Sequence, residues 1–166
     1  MNFARYLTDS LIKLEMETQI EPPAEDAGIE KWRQHNKEII LAELVTLIDD
    51  GARIGNKTKL LIDFVNRERK ATTGLTNGVA IPHIRSLQAK DFTLAFARST
   101  PGYDFDAMDH KLTHLFFVMA APPYDDTLYL RAFRSLSGLV QDDSFREALM
   151  EASSAGEIIR TFKQFE

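Results

Sequence analysis

The stretch "THLFFVMAA", residues 113–121, decides the fold of this chain. It is apolar at almost every position and rich in aromatic side chains. A strand with one wet face alternates polar and apolar residues, so a continuous apolar run predicts a central strand covered on both faces. A second strand is predicted for "FTLAFARST", residues 92–100, where Phe92, Leu94 and Phe96 fall on one face.

Segments with helical periodicity surround these strands. A long helix is predicted from Ile29 to Ile48, because Trp32, Ile40, Leu44 and Leu47 recur at helical spacing and Gly51 follows its end. Shorter helices are predicted over about 58–69 and 126–141. The second of these should turn the following apolar residues inward: Leu130, Phe133, Leu136 and Val140.

The two ends of the chain carry weaker signals. "LIKLEMET", residues 11–18, alternates apolar and charged residues, which predicts a strand. Ser144 precedes Glu147 by three and Ser154 precedes Glu157 by three, the spacing of the capping box, which predicts two short final helices. Strands interleaved with helices predict an α/β fold, a mixed β-sheet sandwiched by helices, and 1–166 is expected to form one domain.

The composition excludes several classes of function. The chain has no cysteine, which excludes disulfides, thiolate metal sites and cysteine nucleophiles. Its net charge is −5 and its basic residues form no cluster, so no nucleic-acid partner is expected. No apolar run approaches the roughly 20 residues that span a bilayer, so we expect no direct membrane insertion. The N-terminus lacks the apolar block of a signal peptide, and a cytoplasmic protein is expected.

The four histidines are the first candidates for chemistry. His110 and His114 are four residues apart in a segment read as a strand, where that spacing covers about 13 Å and one metal ion cannot bridge it. His35 lies in a polar part of the first long helix, where a solvated side chain is the simpler reading. We therefore predict no metal site.

His83 differs because a proline precedes it, in "TNGVAIPHIRS", residues 76–86. Pro82 has no N–H and pushes Ile81 into extended geometry, so ladder pairing should be interrupted there and His83 should emerge at a strand end. An imidazole with a pKa near 6.5 is largely neutral at pH 7 and can attack phosphorus. The alternative is that His83 only completes a turn.

Residues near His83 in sequence could bind a phosphate, but they do not decide whether His83 is phosphorylated or only completes a turn. The glycines of "TGLTNG", residues 73–78, would let backbone N–H groups approach phosphate oxygens. Arg67, Arg69 and Arg85 are candidate cations for the transferred charge. No G-x-S-x-G elbow is present, which argues against a serine hydrolase. Paired aspartates fall at predicted element ends, where helix capping explains them.

Three segments together resemble one family. "NRERKATTGLTNGVAIPHIR", residues 66–85, resembles the active-site segment of IIA domains of the fructose/mannitol type, from the bacterial phosphoenolpyruvate-dependent sugar phosphotransferase system. Nitrogen-regulatory IIA proteins are close relatives of these domains. The segments 104–122 and 145–162 resemble the family's hydrophobic strand, with its A-A-P ending, and its closing pair of helices. The resemblance covers nearly the whole chain, and it implies an IIA mannitol/fructose-like fold.

The resemblance also implies roles for four residues. His83 falls on the phosphorylated histidine, which takes a phosphoryl group from the histidine phosphocarrier protein and passes it to a IIB domain. Arg67 matches an arginine near the phosphoryl site, and Asn77 a polar position ahead of the strand. Tyr129 stands where members usually carry a second histidine, and Ile84 where glycine often follows the first.

These implications leave a choice of functions. The expected function is a phosphocarrier that works through partner proteins, in which Arg67 stabilises the moving charge and Asn77 and Tyr129 orient the imidazole or the phosphoryl oxygens. No bound cofactor is implied. A regulatory protein whose phosphorylation state controls binding to a target protein is the first alternative. A degenerate binding module that takes no phosphate is the second.

Overall fold

The computed structural model describes residues 1–166, apart from the side chain of Asp126. Two 3₁₀ turns, Phe3–Arg5 and Asp9–Leu11, open the chain. The helices are α1 (Ile29–Asp49), α2 (Lys57–Lys70), α3 (Asp126–Leu139), α4 (Asp143–Glu151) and α5 (Ala155–Phe165). The strands are β1 (Ile12–Lys13), β2 (Val79–Ala80), β3 (His83–Arg85), β4 (Thr93–Tyr103) and β5 (Thr113–Ala121).

The strands form one mixed sheet with β5 in its interior. Its order is β1-β4-β5-β2, and β3 continues the pairing with β5 beyond β2. β5 is antiparallel to β4 and parallel to both β2 and β3. The register places Val79 beside Leu115 and His83 beside Met119. The mixed α/β fold expected from the sequence is confirmed.

Both faces of β5 are buried, as its continuous apolar sequence predicts. Leu115, Phe117 and Met119 belong to a core cluster that α3, α4 and α5 cover. Their neighbours Phe116, Val118 and Ala120 belong to a second cluster on the other face, under α1 and α2. Because side chains alternate between the faces of a strand, one nine-residue segment contributes to both cores.

The strand expected at 11–18 is mostly absent. Only Ile12 and Lys13 pair with β4, and Met16 then donates its N–H to the carbonyl of Arg98. The Glu15 carboxylate accepts from the N–H and the hydroxyl of Thr100, at 2.5 and 2.6 Å. A side-chain acceptor therefore replaces the ladder bonds that a longer strand would make.

The helix bounds agree with the sequence patterns to within about two residues, but one inward face is wrong. Leu130 of α3 is 57% exposed, whereas Tyr129, Ala132 and Leu136 are buried. Positions 129, 132, 136 and 140 follow the three- and four-residue spacing of one helix face. Leu130 lies about 100° around the helix from Tyr129 and so points outward.

Only one of the two predicted capping boxes starts its helix where the sequence pattern places it. Ser154 caps α5 by accepting from the Glu157 N–H, and the Glu157 carboxylate returns to Ser153. α4 instead begins after Asp142, whose carboxylate accepts from the N–H groups of Ser144 and Phe145. The aspartate, two residues earlier, is an equally good cap, so the expectation for Ser144 was wrong.

Within the part of the chain that the structure describes, no helix has the length and apolarity that a bilayer crossing requires.

Candidate functional site

His83 lies at the sheet edge and is partly buried under α3. Its ring packs 4.6 Å from the ring of Phe133 and 6.0 Å from that of Tyr129, measured between centroids. The expected interruption of the ladder at Pro82 is present, because β2 ends at Ala80 and β3 begins at His83. Pairing with β5 then resumes, and the carbonyl of Pro82 accepts from the N–H of Met119. His83 is therefore held by strand pairing on both sides of the proline.

The two ring nitrogens of His83 are in different environments. Nδ1 lies 2.6 Å from the carbonyl oxygen of Ile81. Since a carbonyl oxygen only accepts hydrogen bonds, Nδ1 must carry the proton in this contact. In the neutral ring the lone pair is then on Nε2. The backbone thus selects the tautomer in which Nε2 is the nucleophilic atom.

Charge on the imidazole is disfavoured. Burial lowers the pKa of His83 below 6.5, and the positive charge of Arg67 lowers it further, against the opposing effects of the Ile81 carbonyl and Glu68. Charge on a partly buried ring loses hydration, which explains the direction. The ring is consequently neutral at pH 7, in the form that can act as a nucleophile.

This shift predicts how His83 titrates. A histidine with an ordinary pKa is half protonated at pH 6.5, whereas His83 should stay mostly neutral there and titrate at lower pH. Unfolded chains bind the proton first, so the free energy of unfolding should fall as pH drops from about 6.5 to the folded pKa. NMR titration of the His83 Cε1–H signal measures the pKa of the ring in the folded chain. A midpoint above 6.5 would contradict the prediction.

Arg67 brings a positive charge to His83 from the opposite side of the sheet edge. It lies in the last turn of α2, and its Nη1 donates to the carbonyl of Ala71 at 2.9 Å. Its charge acts on both His83 and Tyr129. Arg69, the neighbouring candidate, is instead paired with Glu38 on the surface at 2.6 Å. Of these two arginines, only Arg67 acts on His83.

Tyr129 is a buried member of the site, 8% exposed. Burial raises the pKa of its phenol to about 12, although Arg85 and Arg67 act in the opposite direction. The hydroxyl therefore keeps its proton at pH 7 and can donate a hydrogen bond but bears no charge. The guanidinium carbon of Arg85 lies 5.4 Å from the Tyr129 ring centroid.

The structure does not bring Asn77 to His83. Asn77 is exposed in the turn before β2, with φ +61°, and its N–H donates to the carboxylate of Asp109 at 3.0 Å. The carbonyl of Gly78 pairs with Leu115, whereas the carbonyl of Pro82 pairs with Met119. Those β5 positions are four residues apart, or about 13 Å. Asn77 is thus too far away to orient the imidazole.

The glycines near Asn77 serve packing. A Cβ on Gly74 would lie 2.9 Å from the Cα of Ala107, and one on Gly78 would lie 3.2 Å from the ring of His114. Gly78 also has φ +76°, a conformation that favours glycine. The expectation that these glycines open a phosphate loop beside His83 is therefore not supported by their positions.

The other histidines remain apart from the site. His35 is exposed on α1. The sequence predicted His110 to lie in a strand, but it lies in a turn with φ +60°. Nδ1 of His114 lies 3.1 Å from the carbonyl oxygens of Ser99 and Thr100. Among the residues that the structure describes, no group of three or more histidines, aspartates or glutamates is arranged to hold a metal ion.

A buried ion pair supports the site, and the sequence reading missed it. Nζ of Lys37 lies 2.7 Å from Oε1 of Glu68, and both side chains are almost completely buried. Glu68 also accepts from the N–H and the hydroxyl of Thr73, at 2.7 and 2.6 Å. The carbonyl of Thr73 accepts from Ile81, whose own carbonyl holds His83. In the sequence, the only indication that Glu68 belongs to the site is its position next to Arg67.

An open cleft of about 500 Å³ borders the site between α2 and β3. Four cations, Lys59, Arg67, Lys70 and Arg85, and one carboxylate, Asp63, line it, so its wall is predominantly cationic. Near His83, Tyr129 is buried and Ile84 is only partly exposed. The exposed apolar side chains in this region are Ile62, Leu87, Tyr124 and Leu130.

The chain is similar in sequence to known proteins. Residues 29–165 match the family model described as "Phosphoenolpyruvate-dependent sugar phosphotransferase system, EIIA 2". The fructose-specific EIIA component of Haloferax volcanii is 34% identical over 145 residues, which are 87% of this chain and 87% of that protein. The fructose-specific EIIABC component of Bacillus subtilis is 29% identical over 164 residues, 99% of this chain. The chain spans only 23% of that longer protein.

A solved structure shows the same fold. The nitrogen regulatory protein IIA-Ntr from Neisseria meningitidis superposes with a TM-score of 0.80 and 29% identity. The match covers 96% of this chain and 98% of that one. Names of both a sugar-specific kind and a regulatory kind therefore occur among the similar proteins.

Proposed function

The chain belongs to the EIIA type 2 family of the phosphoenolpyruvate-dependent sugar phosphotransferase system, and on this premise we propose that it is a histidine phosphocarrier. It accepts a phosphoryl group on Nε2 of His83 from the histidine phosphocarrier protein and passes it to a IIB domain. The observation that carries the proposal is the 2.6 Å contact from Nδ1 to the Ile81 carbonyl, which leaves the lone pair on Nε2.

The proposed transfer moves one phosphoryl group between two imidazoles. The lone pair of Nε2 attacks the phosphorus of the donor's phosphohistidine, and an N–P bond forms as the donor's N–P bond breaks. The electron pair of the broken bond returns to the donor imidazole. The donor ring carries a proton on its other nitrogen and so leaves as a neutral imidazole. Nδ1 of His83 keeps its own proton on the Ile81 carbonyl, so the phosphorylated ring is an imidazolium whose charge the carbonyl and the anionic phosphoryl group offset. Passing the group to a IIB domain repeats the step with His83 as the donor.

Two further side chains are given roles in this step. The guanidinium of Arg67 stabilises the charge on the equatorial phosphoryl oxygens, as fixed cations do in phosphoryl transfer generally. Its electrostatic effect on the ring of His83 supports this role. Tyr129 donates a hydrogen bond from its neutral phenol to an oxygen of the phosphoryl group. Asn77 has no part in the proposal, because it lies at the far end of β2.

Phosphorylation with purified components tests the proposal. The chain is incubated with phosphoenolpyruvate, enzyme I and the histidine phosphocarrier protein, and intact mass is recorded. We expect the gain of one phosphoryl group, stable in alkali and labile in acid, with NMR coupling to phosphorus at Nε2 of a single imidazole. No mass gain would contradict the proposal and favour the degenerate binding module. Coupling at Nδ1 would contradict the assigned nitrogen.

A regulatory protein is the second candidate, supported by the likeness to the Neisseria meningitidis nitrogen regulatory protein over nearly the full length of both chains. The neutral Tyr129 also suits a site that stores a phosphoryl group and does not release it quickly. Adding a purified sugar-specific IIB domain to the phosphorylated chain separates the two. Rapid loss of the label to the IIB domain supports the carrier, and retention supports the regulator.

Replacing Arg67 should slow phosphoryl acceptance. We expect Arg67→Gln to lower the rate by about 10- to 100-fold, since the loss of one preorganised donor to developing charge costs about 10²–10³ in buried sites and this one is half exposed. Rapid-quench measurement of phosphorylation at fixed donor concentration provides the rate. Arg69→Gln is the matched control in the same helical turn and should leave the rate within about twofold, because Arg69 pairs with Glu38. Equal effects of the two variants would assign the loss to general surface charge.

A further inference from the structure

The strand that carries His83 places a second arginine beside it. His83 and Arg85 are the first and third residues of β3, and residues two apart on a strand project from the same face. That face is turned to α3. The ring of Tyr129 lies 6.0 Å from the His83 ring and 5.4 Å from the guanidinium carbon of Arg85. The three side chains therefore meet around one aromatic ring.

A phosphoryl group on His83 would need more positive charge than Arg67 alone offers. The phosphoryl group itself is anionic near neutral pH, yet the ring that carries it packs against the apolar faces of Phe133 and Tyr129. Tyr129 is a neutral donor. One guanidinium nitrogen of Arg67 is already bonded to the Ala71 carbonyl. An anion in such a place is stable only when charged donors replace its lost hydration.

Arg85 is the cation best placed to meet this need. It is exposed at the mouth of the cleft that Arg67 also lines, and the two approach from different elements, β3 and α2. Lys59 and Lys70 line the same cleft, but neither is on the strand face of His83. A guanidinium can present two parallel N–H groups to a phosphoryl group, and its stacking on Tyr129 limits the orientations it can take.

We propose that Arg85 is a second phosphoryl-binding residue, held by the ring of Tyr129 so that its guanidinium contacts the oxygens of phosphorylated His83. This inference rests on the proposed function and adds a contact to the same site. Arg67 and Arg85 would bind the phosphoryl group from two sides, with Tyr129 between His83 and Arg85. The phosphorylated state is then stabilised relative to the free state, which is a thermodynamic effect.

The equilibrium between donor and acceptor provides the test. The phosphorylated phosphocarrier protein is mixed with the chain, without enzyme I or phosphoenolpyruvate, and the phosphoryl group is allowed to distribute. We expect Arg85→Gln to shift this equilibrium toward the donor by about tenfold, as loss of one charge-assisted contact at a partly exposed site implies. Arg85→Lys should restore part of the shift. Arg160→Gln, an exposed arginine on α5, is the control and should shift nothing.

The equilibrium constant distinguishes phosphoryl binding from partner docking. A residue that only helps the donor to dock changes the forward and reverse rates by the same factor, because docking affects neither end state. Equal slowing of both directions by Arg85→Gln, with an unchanged equilibrium, would overturn the proposal while leaving the proposed function intact.

A partner-free measurement separates this inference from the function it rests on. The chain is treated with phosphoramidate, a small phosphoryl donor, and the arginine Nε–H signals are followed by NMR. Shifted Arg67 and Arg85 signals on phosphorylation of His83 support the proposal, whereas a shift of Arg67 alone overturns it. Failure of His83 to take phosphate from either donor overturns both the inference and the proposed function.

Discussion

A His83→Gln variant is expected to gain no phosphoryl group from the histidine phosphocarrier protein. Glutamine replaces the imidazole with a side chain whose amide nitrogen has no available lone pair to attack phosphorus. Intact-mass measurement should show full conversion of the native chain and none of the variant. The loss should be complete, and not partial, because the proposed reaction has a single acceptor atom, Nε2.

The control for this variant is His35→Gln. His35 is exposed on α1 and does not line the cleft beside β3, so its replacement should leave phosphorylation unchanged. Equal thermal unfolding of the two variants would show that the loss does not come from misfolding. If His83→Gln still gains one phosphoryl group, the acceptor is another residue and the assignment of His83 fails.

Folding of the variant can be expected from the environment of the ring. His83 is partly buried against Phe133 and Tyr129, so glutamine loses these two ring contacts and the hydrogen bond to Ile81. The strand pairing of His83 with β5 uses backbone groups, which the substitution keeps. We therefore expect a loss of roughly 1–2 kcal/mol in the free energy of unfolding, too small to unfold the chain.

The fold was largely predictable because the apolar pattern of its central strand can be recognised from the strand's own residues. A run such as 113–121 has one stable position, inside a sheet with both faces covered, and the structure places it there. Helix periodicity acts over similarly short distances. The expected strand at 11–18 fails for a reason outside its own sequence, because Thr100, 85 positions from Glu15, supplies the competing hydrogen bonds.

The candidate site was predictable only in part. His83 is singled out by its own neighbours, since Pro82 and the apolar residues before it are adjacent in sequence. Tyr129 enters through the register of the family resemblance. The role expected of Asn77 also came from the family resemblance, but the residues between it and His83 are extended, at about 3.3 Å each, so the two side chains lie far apart.

The supporting ion pair lay beyond the reach of sequence patterns. Lys37 and Glu68 lie on different helices, 31 positions apart, and nothing in either helical pattern marks them as partners. A lysine and a glutamate in amphipathic helices are ordinarily read as solvated. Only the packing of α1 against α2 makes both of them buried, and that packing is a property of the whole fold.

Replacing Lys37 with methionine is expected to lower the free energy of unfolding by about 3–5 kcal/mol. The substitution leaves the Glu68 carboxylate buried without its cation, and such an uncompensated charge is costly. The contact of the Lys37 ammonium with the ring of Phe105, at 4.7 Å, is lost as well. Urea unfolding followed by circular dichroism measures the change. Lys31→Met, an exposed lysine on the same helix, should change it by no more than about 0.5 kcal/mol.

The double variant Lys37→Met, Glu68→Gln separates the charge from the hydrogen bonds. A glutamine at 68 removes the buried charge yet keeps an oxygen that can accept from the Thr73 N–H. If uncompensated charge dominates the cost, the double variant should regain most of the lost stability and lie within about 2 kcal/mol of the native chain. A double variant no more stable than Lys37→Met would show that lost packing of the lysine dominates.

The same pair of variants tests whether the ion pair supports the phosphoryl site. Thr73 connects Glu68 to Ile81, and the Ile81 carbonyl fixes the proton on Nδ1 of His83. If this chain of contacts holds the ring, Lys37→Met should weaken the preference for the Nδ1–H tautomer, and the double variant should restore it. Nitrogen-15 chemical shifts of the His83 ring report the tautomer under conditions where both variants are folded. Unchanged shifts in Lys37→Met would show that the ion pair contributes only to the free energy of unfolding, since the ring would then keep its tautomer without the ion pair.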